Sequence, residues 1–301
     1  METCVVNLVE PGEKVLVCVN GAFGGRLAQN VKRAGGVPVT IDDEWGRAID
    51  ANKVQDAFNS NPDAKLLAFV HAETSTGAKS DAALLANIAR NYGALTLMDC
   101  VTSLGGIPVL LDEWGISAAY SGSQKCLSCP PGLSPVSFNA EAMAKIRTRK
   151  TGVQSWFMDL NLLLGYWEGR DKRTYHHTAP VNLLYGLHEA LVMLAEEGLY
   201  NAWERHRDMH EKLRDGLSEL GLNYVVREEE RLPQLNSVHI PQGVDDELTR
   251  KNLLDSRHLE IGAGLGPLAG KIWRIGLMGD SASKQNVRHC LDSLRFVLKG
   301  R

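Results

Sequence analysis

The sequence predicts an α/β fold: a large domain on a mainly parallel sheet, followed by a smaller α+β domain. Three observations carry this. Short apolar runs alternate with amphipathic helical stretches through residues 14–122. Those runs are apolar throughout rather than alternating with polar residues, as in strands covered on both faces. Beyond residue 180 the rhythm changes to two long helical patterns followed by short strands.

Taken in order, "KVLVCVN" (14–20) reads as a buried strand and "FGGRLAQNVKRAGG" (23–36) as a helix stopped by glycines. "VPVTID" (37–42) is a second strand, "DANKVQDAFNS" (50–60) a capped helix and "AKLLAFVHAE" (64–73) a third strand. "SDAALLANIARNYG" (80–93) predicts a helix with Ser80 as N-cap and Gly93 at its end, before strands at "ALTLMD" (94–99) and "ISAAYSG" (116–122). "PVNLLYGLHEALVMLAEEG" (180–198) sets Leu184, Leu187, Leu191 and Leu194 on one stripe, and "NAWERHRDMHEKLRDGLSELG" (201–221) is a second long helix. Short strands at "NYVVR", "SVHIP", "LEIGAG" and "IWRIGL" follow, with helices near 245–256 and 284–299. The predicted division is a large domain over 1–197 and a small one over 198–301.

Composition narrows the function classes. The 301 residues are 44% hydrophobic and 23% charged, with a net charge of −3 and both signs scattered. No basic block points to nucleic acid, and no apolar run approaches the roughly 18 residues of a membrane-spanning helix. A cytoplasmic protein acting on small molecules is expected. The six cysteines, Cys4, Cys18, Cys100, Cys126, Cys129 and Cys290, are dispersed, which favours free thiols. "CLSC" (126–129) could be a redox pair or half a zinc site, but no second pair stands at zinc-finger spacing, and small residues packing near Lys125 is the preferred reading.

Ligands of an open parallel sheet bind outside the carboxyl ends of its strands. Three such ends carry polar groups: Thr74 and Ser75 after "FVHAE", Asp99 after "LTLM", and Lys125 in "SGSQK" after "AAY". Singly, each has a bland reading as a turn cap, a hydrogen-bonded turn or a salt bridge. Together they fit pyridoxal phosphate, which needs a lysine for its Schiff base and an acid opposite its pyridine nitrogen. The Gly/Ser-rich turn would let the backbone approach the cofactor while one amine reaches in.

"DCVTSLGGIPVLLDEWGI", "YSGSQKCLSCPPGLSPVSF", "YHHTAP" and "GLGPLAGKIWRIGLMG" resemble, in this order, the class V aminotransferases of the alanine–glyoxylate/serine–pyruvate branch. The resemblance covers essentially the whole chain. It implies the type I fold of pyridoxal-phosphate enzymes, a homodimer, and transamination between alanine or serine and glyoxylate or pyruvate. It further implies that Lys125 carries the aldimine and shuttles a proton, that Asp99 pairs with the pyridine nitrogen and that Thr74 contacts the ring hydroxyl. Phe23 and Val101 would flank the ring, Gln124 would lie beside the phosphate, and Tyr175 and Thr178 would reach the neighbouring subunit's phosphate. Arg274 would hold the substrate α-carboxylate, a role that suits its planar two-donor fork. Other readings stay open: 2-aminoethylphosphonate transamination, in which Arg274 would face no α-carboxylate, or a non-catalytic truncated subunit. A cysteine desulfurase is disfavoured, since neither Cys126 nor Cys129 sits on an evident long loop.

Relatives of that branch carry a further N-terminal segment, with an arm and a turn whose amides grip the cofactor phosphate. The expectation is therefore a chain N-terminally incomplete relative to the family, binding the cofactor weakly. "GAGLG" (262–266) lacks nucleotide-site spacing. A metal at His176 and His177 is rejected because adjacent side chains should point apart.

Overall fold

The computed structural model describes residues 1–168 and 175–298. Strands β1 (Lys14–Val19), β2 (Val37–Asp42), β3 (Leu66–Val70), β6 (Leu95–Asp99), β7 (Ala118–Tyr120) and β8 (Val136–Phe138) form one sheet in the order β2-β1-β3-β6-β7-β8. The first five run parallel, and β8 pairs with β7 antiparallel. The sequence pattern alone does not predict a strand at β8.

Alternation along each strand builds two cores. Val15, Val17, Leu66, Ala68, Val70, Leu97, Ala118 and Tyr120 join the side chains of helices α1 (Glu2–Leu8), α2 (Ala22–Arg33) and α6 (Ala140–Arg147). Their chain neighbours Leu16, Cys18, Leu67, Phe69, Met98 and Ala119 join α3 (Ala51–Ser60) and α4 (Ala82–Asn91). Both faces are dry, which is why these strands lack a polar stripe. The N-cap of α4 is Asp81, whose carboxylate accepts the Leu84 amide, rather than Ser80. The Ser80 hydroxyl instead accepts the Ile49 amide.

Helix α5 (Leu111–Trp114) lies between β6 and β7, and α7 (Leu160–Glu168) and α8 (Val181–Glu197) precede the long α9 (Leu199–Glu219). Beyond α9, β9 (Leu235–His239), β10 (Gly262–Ala263) and β11 (Ile272–Gly276) make an antiparallel sheet, order β10-β11-β9. With α9, α10 (Asp246–Arg257) and α11 (Lys284–Leu298) it encloses a third core around Trp273. The expected helix end at 299 lies outside the described residues. "NYVVR" is not a strand: Tyr224 makes one isolated bridge to Val238.

A hairpin joins the two sheets. Strands β4 (Ala72–Glu73) and β5 (Ala78–Lys79) flank a tight turn over 74–77. Gly77, at φ +85°, has no Cβ to meet the Leu235 carbonyl, which an added Cβ would approach to 2.8 Å. The Ser237 hydroxyl donates to the Thr76 carbonyl, and the Leu232 amide donates to the Gly77 carbonyl at 3.0 Å.

Candidate active site

Parallel register aligns Val70, Asp99 and Tyr120 in one row at the carboxyl edge of the sheet. Asp99 is 3% exposed. Its Oδ1 accepts the Val101 amide at 2.9 Å, and its Oδ2 accepts the Tyr120 hydroxyl at 2.7 Å. Burial pushes the carboxyl from 3.8 up to about 6; the two hydrogen bonds oppose that, and the Glu73 charge adds to it. A cation placed beside this acid would be held by a dry, oriented carboxylate.

The hairpin turn brings Thr74 and Arg274 together. The Thr74 hydroxyl meets the Thr102 hydroxyl, while its carbonyl accepts Arg274 Nη1 at 3.0 Å. Arg274 Nε donates to the Ala263 carbonyl at 2.8 Å across β10–β11. Burial lowers the guanidinium pKa and the Glu73 charge opposes that shift. No carboxylate among the described residues pairs with Arg274.

Lys125 lies five residues beyond β7, in a turn rather than at the strand end itself. Ser121 and Ser123 donate their amides to the Pro135 and Leu133 carbonyls at 2.9 and 3.0 Å, and Ser128 donates to the Lys125 carbonyl at 3.0 Å. The small sheet's side braces this loop, since the Asp280 amide donates to Ser128 Oγ at 2.8 Å. Neighbouring Gly279 donates its amide to His206 Nε2 at 2.9 Å. The Lys125 side chain is half-buried and has no ion-pair or hydrogen-bond partner among the described residues. Gln124 is exposed. Cys126 and Cys129 are buried free thiols; Cys126 Sγ donates to the Thr102 carbonyl at 3.4 Å.

Phe23 stands in the first turn of α2 and packs, like Val101, at the margin of the first core. Tyr175 and Thr178 are exposed and share a hydroxyl–hydroxyl bond of 2.6 Å. His176 and His177 do not point apart as expected: their Nδ1 atoms lie 2.8 Å from each other, and His176 stacks on Trp156. No group of three metal-binding side chains occurs among the described residues.

Two buried residues are not singled out by the sequence pattern. Tyr120 reaches Asp99 through strand register, which no single strand reveals. Glu73 is fully buried; its one signal is an acid closing the mainly apolar run "LLAFVHAE". The set of amine, dry carboxylate, hydroxyls and unpaired guanidinium fits pyridoxal phosphate and a carboxylate substrate chemically.

The architecture is that of type I pyridoxal-phosphate enzymes. A crystal structure of alanine–glyoxylate aminotransferase from Nostoc sp. aligns with a TM-score of 0.96 at 45% identity, covering 99% of this chain and 78% of that one. The alanine–glyoxylate aminotransferase of Rattus norvegicus is 38% identical over 302 residues, 99% of this chain and 72% of the relative. The (S)-ureidoglycine–glyoxylate transaminase of Bacillus subtilis is 35% identical over 317 residues, 99% of this chain and 75% of the relative. Residues 1–272 match the family Aminotransferase class-V, and the chain belongs to it. It is an aminotransferase with pyridoxal phosphate as cofactor.

Proposed function

We propose that this enzyme transfers the amino group of alanine or serine to glyoxylate, leaving the donor as its 2-oxo acid. The observation that carries the reading is Arg274, a half-buried guanidinium whose Nε and Nη1 are oriented by two carbonyls and which no described carboxylate neutralises. Both substrates would present a carboxylate to it. The named activities of the two curated relatives support glyoxylate as acceptor.

Bound pyridoxal phosphate supplies an electron sink for charge released at the substrate α-carbon. Asp99 accepts a hydrogen bond from the ring nitrogen and keeps a proton there. Thr74 orients the ring through its hydroxyl, and Phe23 and Val101 flank the ring and exclude water. Lys125 Nζ takes the α-proton and returns it. Gln124 lies beside the phosphate. Tyr175 and Thr178 reach the phosphate of a second copy, which makes the enzyme a homodimer. Support for the dimer is the exposed apolar surface of Trp156, Phe157 and Tyr185.

The test is a panel of alanine, serine and 2-aminoethylphosphonate against glyoxylate and pyruvate, run on the cofactor-loaded protein and its Arg274→Lys variant. Lysine keeps the charge but loses the fork. The Michaelis constant for the amino acid should rise about tenfold or more, while cofactor affinity stays the same. Preference for 2-aminoethylphosphonate, with Arg274→Lys harmless, would replace this reading with the phosphonate one.

A further inference from the structure

The Glu73 carboxylate sits against the start of α2. Its Oε2 accepts the Phe23 amide at 3.2 Å and the Gly24 amide at 3.3 Å. Its Oε1 accepts both the amide and the hydroxyl of Ser75, at 3.1 and 2.6 Å. Ser75 Oγ in turn accepts the Ala22 amide at 2.9 Å. Three of the helix's open amides are thus closed by two side chains of the β4–β5 hairpin rather than by a local cap. Gly21 leaves the room for this: a Cβ there would stand 2.3 Å from the Glu73 Cδ atom.

Capping alone does not require a carboxylate with no exposed surface, since a serine or asparagine N-cap satisfies a helix start at far smaller desolvation cost. The location supplies the reason. Phe23 is the residue whose amide is gripped, Thr74 is the next residue in the chain, and Arg274 is tied to the Thr74 carbonyl.

We propose that Glu73 is a positioning residue of the active site: one buried carboxylate fixes the first turn of α2, and with it Phe23, and sets its negative charge within reach of both Asp99 and Arg274. This deepens the reading above and rests on Phe23, Asp99 and Arg274 having the roles given there. The Glu73 charge raises the pKa of Asp99 and supports the protonated form of Arg274. The other ionisable groups around Asp99 are Tyr120 on β7, Cys100 beyond β6, and Cys4 and the amino terminus at α1.

Three variants separate the charge from the clamp. Glu73→Gln keeps the size and removes the charge, and turns an amide group toward amides that need an acceptor. Glu73→Asp keeps the charge. Ser75→Ala keeps the Glu73 charge and loses the two bonds of the hydroxyl, one from the Ala22 amide and one to Glu73 Oε1. Amide hydrogen exchange of the cofactor-free protein is the first readout. The segment 21–25 should exchange about tenfold faster in Glu73→Gln and in Ser75→Ala, with the sheet strands unchanged.

The second readout is equilibrium binding of pyridoxal phosphate across pH. Binding should fall on acidification as Asp99 takes its proton. That limb should move to lower pH in Glu73→Gln, because the charge that raises Asp99 is gone. It should stay in place in Ser75→Ala and Glu73→Asp. The ligand's own titrations are common to all variants and cancel in the comparison. A merely structural glutamate would loosen 21–25 without moving the limb, and that outcome overturns the proposal. So does unchanged exchange at 21–25. Because exchange is read without cofactor, a failed clamp and a failed cofactor assignment leave different signatures. Should Glu73→Gln not fold, a limb that moves in Ser75→Ala or Glu73→Asp, both of which keep the charge, equally counts against the role of the charge.

Discussion

In its proposed role Asp99 meets two opposed requirements, dryness for a strong interaction and ionisation to hold the ring nitrogen. In the cofactor-free protein the balance costs stability. Between pH 3.8 and about 6 the folded Asp99 holds a proton that the unfolded chain has released, so stability falls as pH rises through that window. A rise of that size corresponds to about 3 kcal/mol. The cofactor-free Asp99→Asn protein should therefore be more stable than the parent at pH 8, by up to about 3 kcal/mol, with the gap closing toward pH 4. Urea unfolding at the two pH values measures this, and a gap that widens on acidification would contradict it. Cofactor-loaded Asp99→Asn should instead lose turnover, since an amide cannot keep the ring nitrogen protonated. At this scale Lys125, Asp99, Thr74 and Arg274 are legible as polar residues in turns or in a family motif. Tyr120 and Glu73 are not, because Tyr120 acts across strand register and Glu73 across a contact between a hairpin and the start of α2, and only folding sets either.

Helix α2 is held to β1 by the absence of a side chain. A Cβ at Gly24 would lie 2.6 Å from the Cys18 carbonyl oxygen and 2.9 Å from Val19 Cα. Both are backbone atoms in a strand paired on either side, so neither can yield. Gly24→Ala gains helix propensity of about 1 kcal/mol, yet the overpacking should outweigh it and leave a net loss of about 1–2 kcal/mol. A chemical unfolding midpoint equal to or above the parent's would show that the helix can lift away freely. Element type is readable where a short run is apolar throughout, as in β1 and β3, or where burial follows a helical period, as in α4. It fails where tertiary pairing decides. "VSF" (136–138) becomes a strand because Phe138, Ser137 and Val136 align with β7, and "NYVVR" stays irregular because its pairing with β9 stops at a single bridge, Tyr224 to Val238, flanked by bonds of Asn223 and Val225.

For the molecule as a whole, α8 is a long helix that one chain does not bury. None of its residues is buried, and the stripe of Leu184, Leu187, Leu191 and Leu194 lines a groove of about 450 Å³ with Leu127 and Leu133. The proposed homodimer gives that apolar surface a partner. Sedimentation should return twice the chain mass for the parent and the single mass for Leu191→Glu, while a parent at single mass would argue against it. The division into two sheets is foreseeable from the change of rhythm after residue 180; the hairpin that ties them is not, being two residues a side. That hairpin behaves as a spacer whose length is counted in whole residues. Thr74 meets Thr102, in the turn after β6, with its hydroxyl and holds Arg274 with its carbonyl, so the gap proposed to take the substrate is set by backbone geometry. Side chains on either flank can drift through many substitutions without altering it. A chain that differs from a relative at most positions can in this way keep a site of constant width.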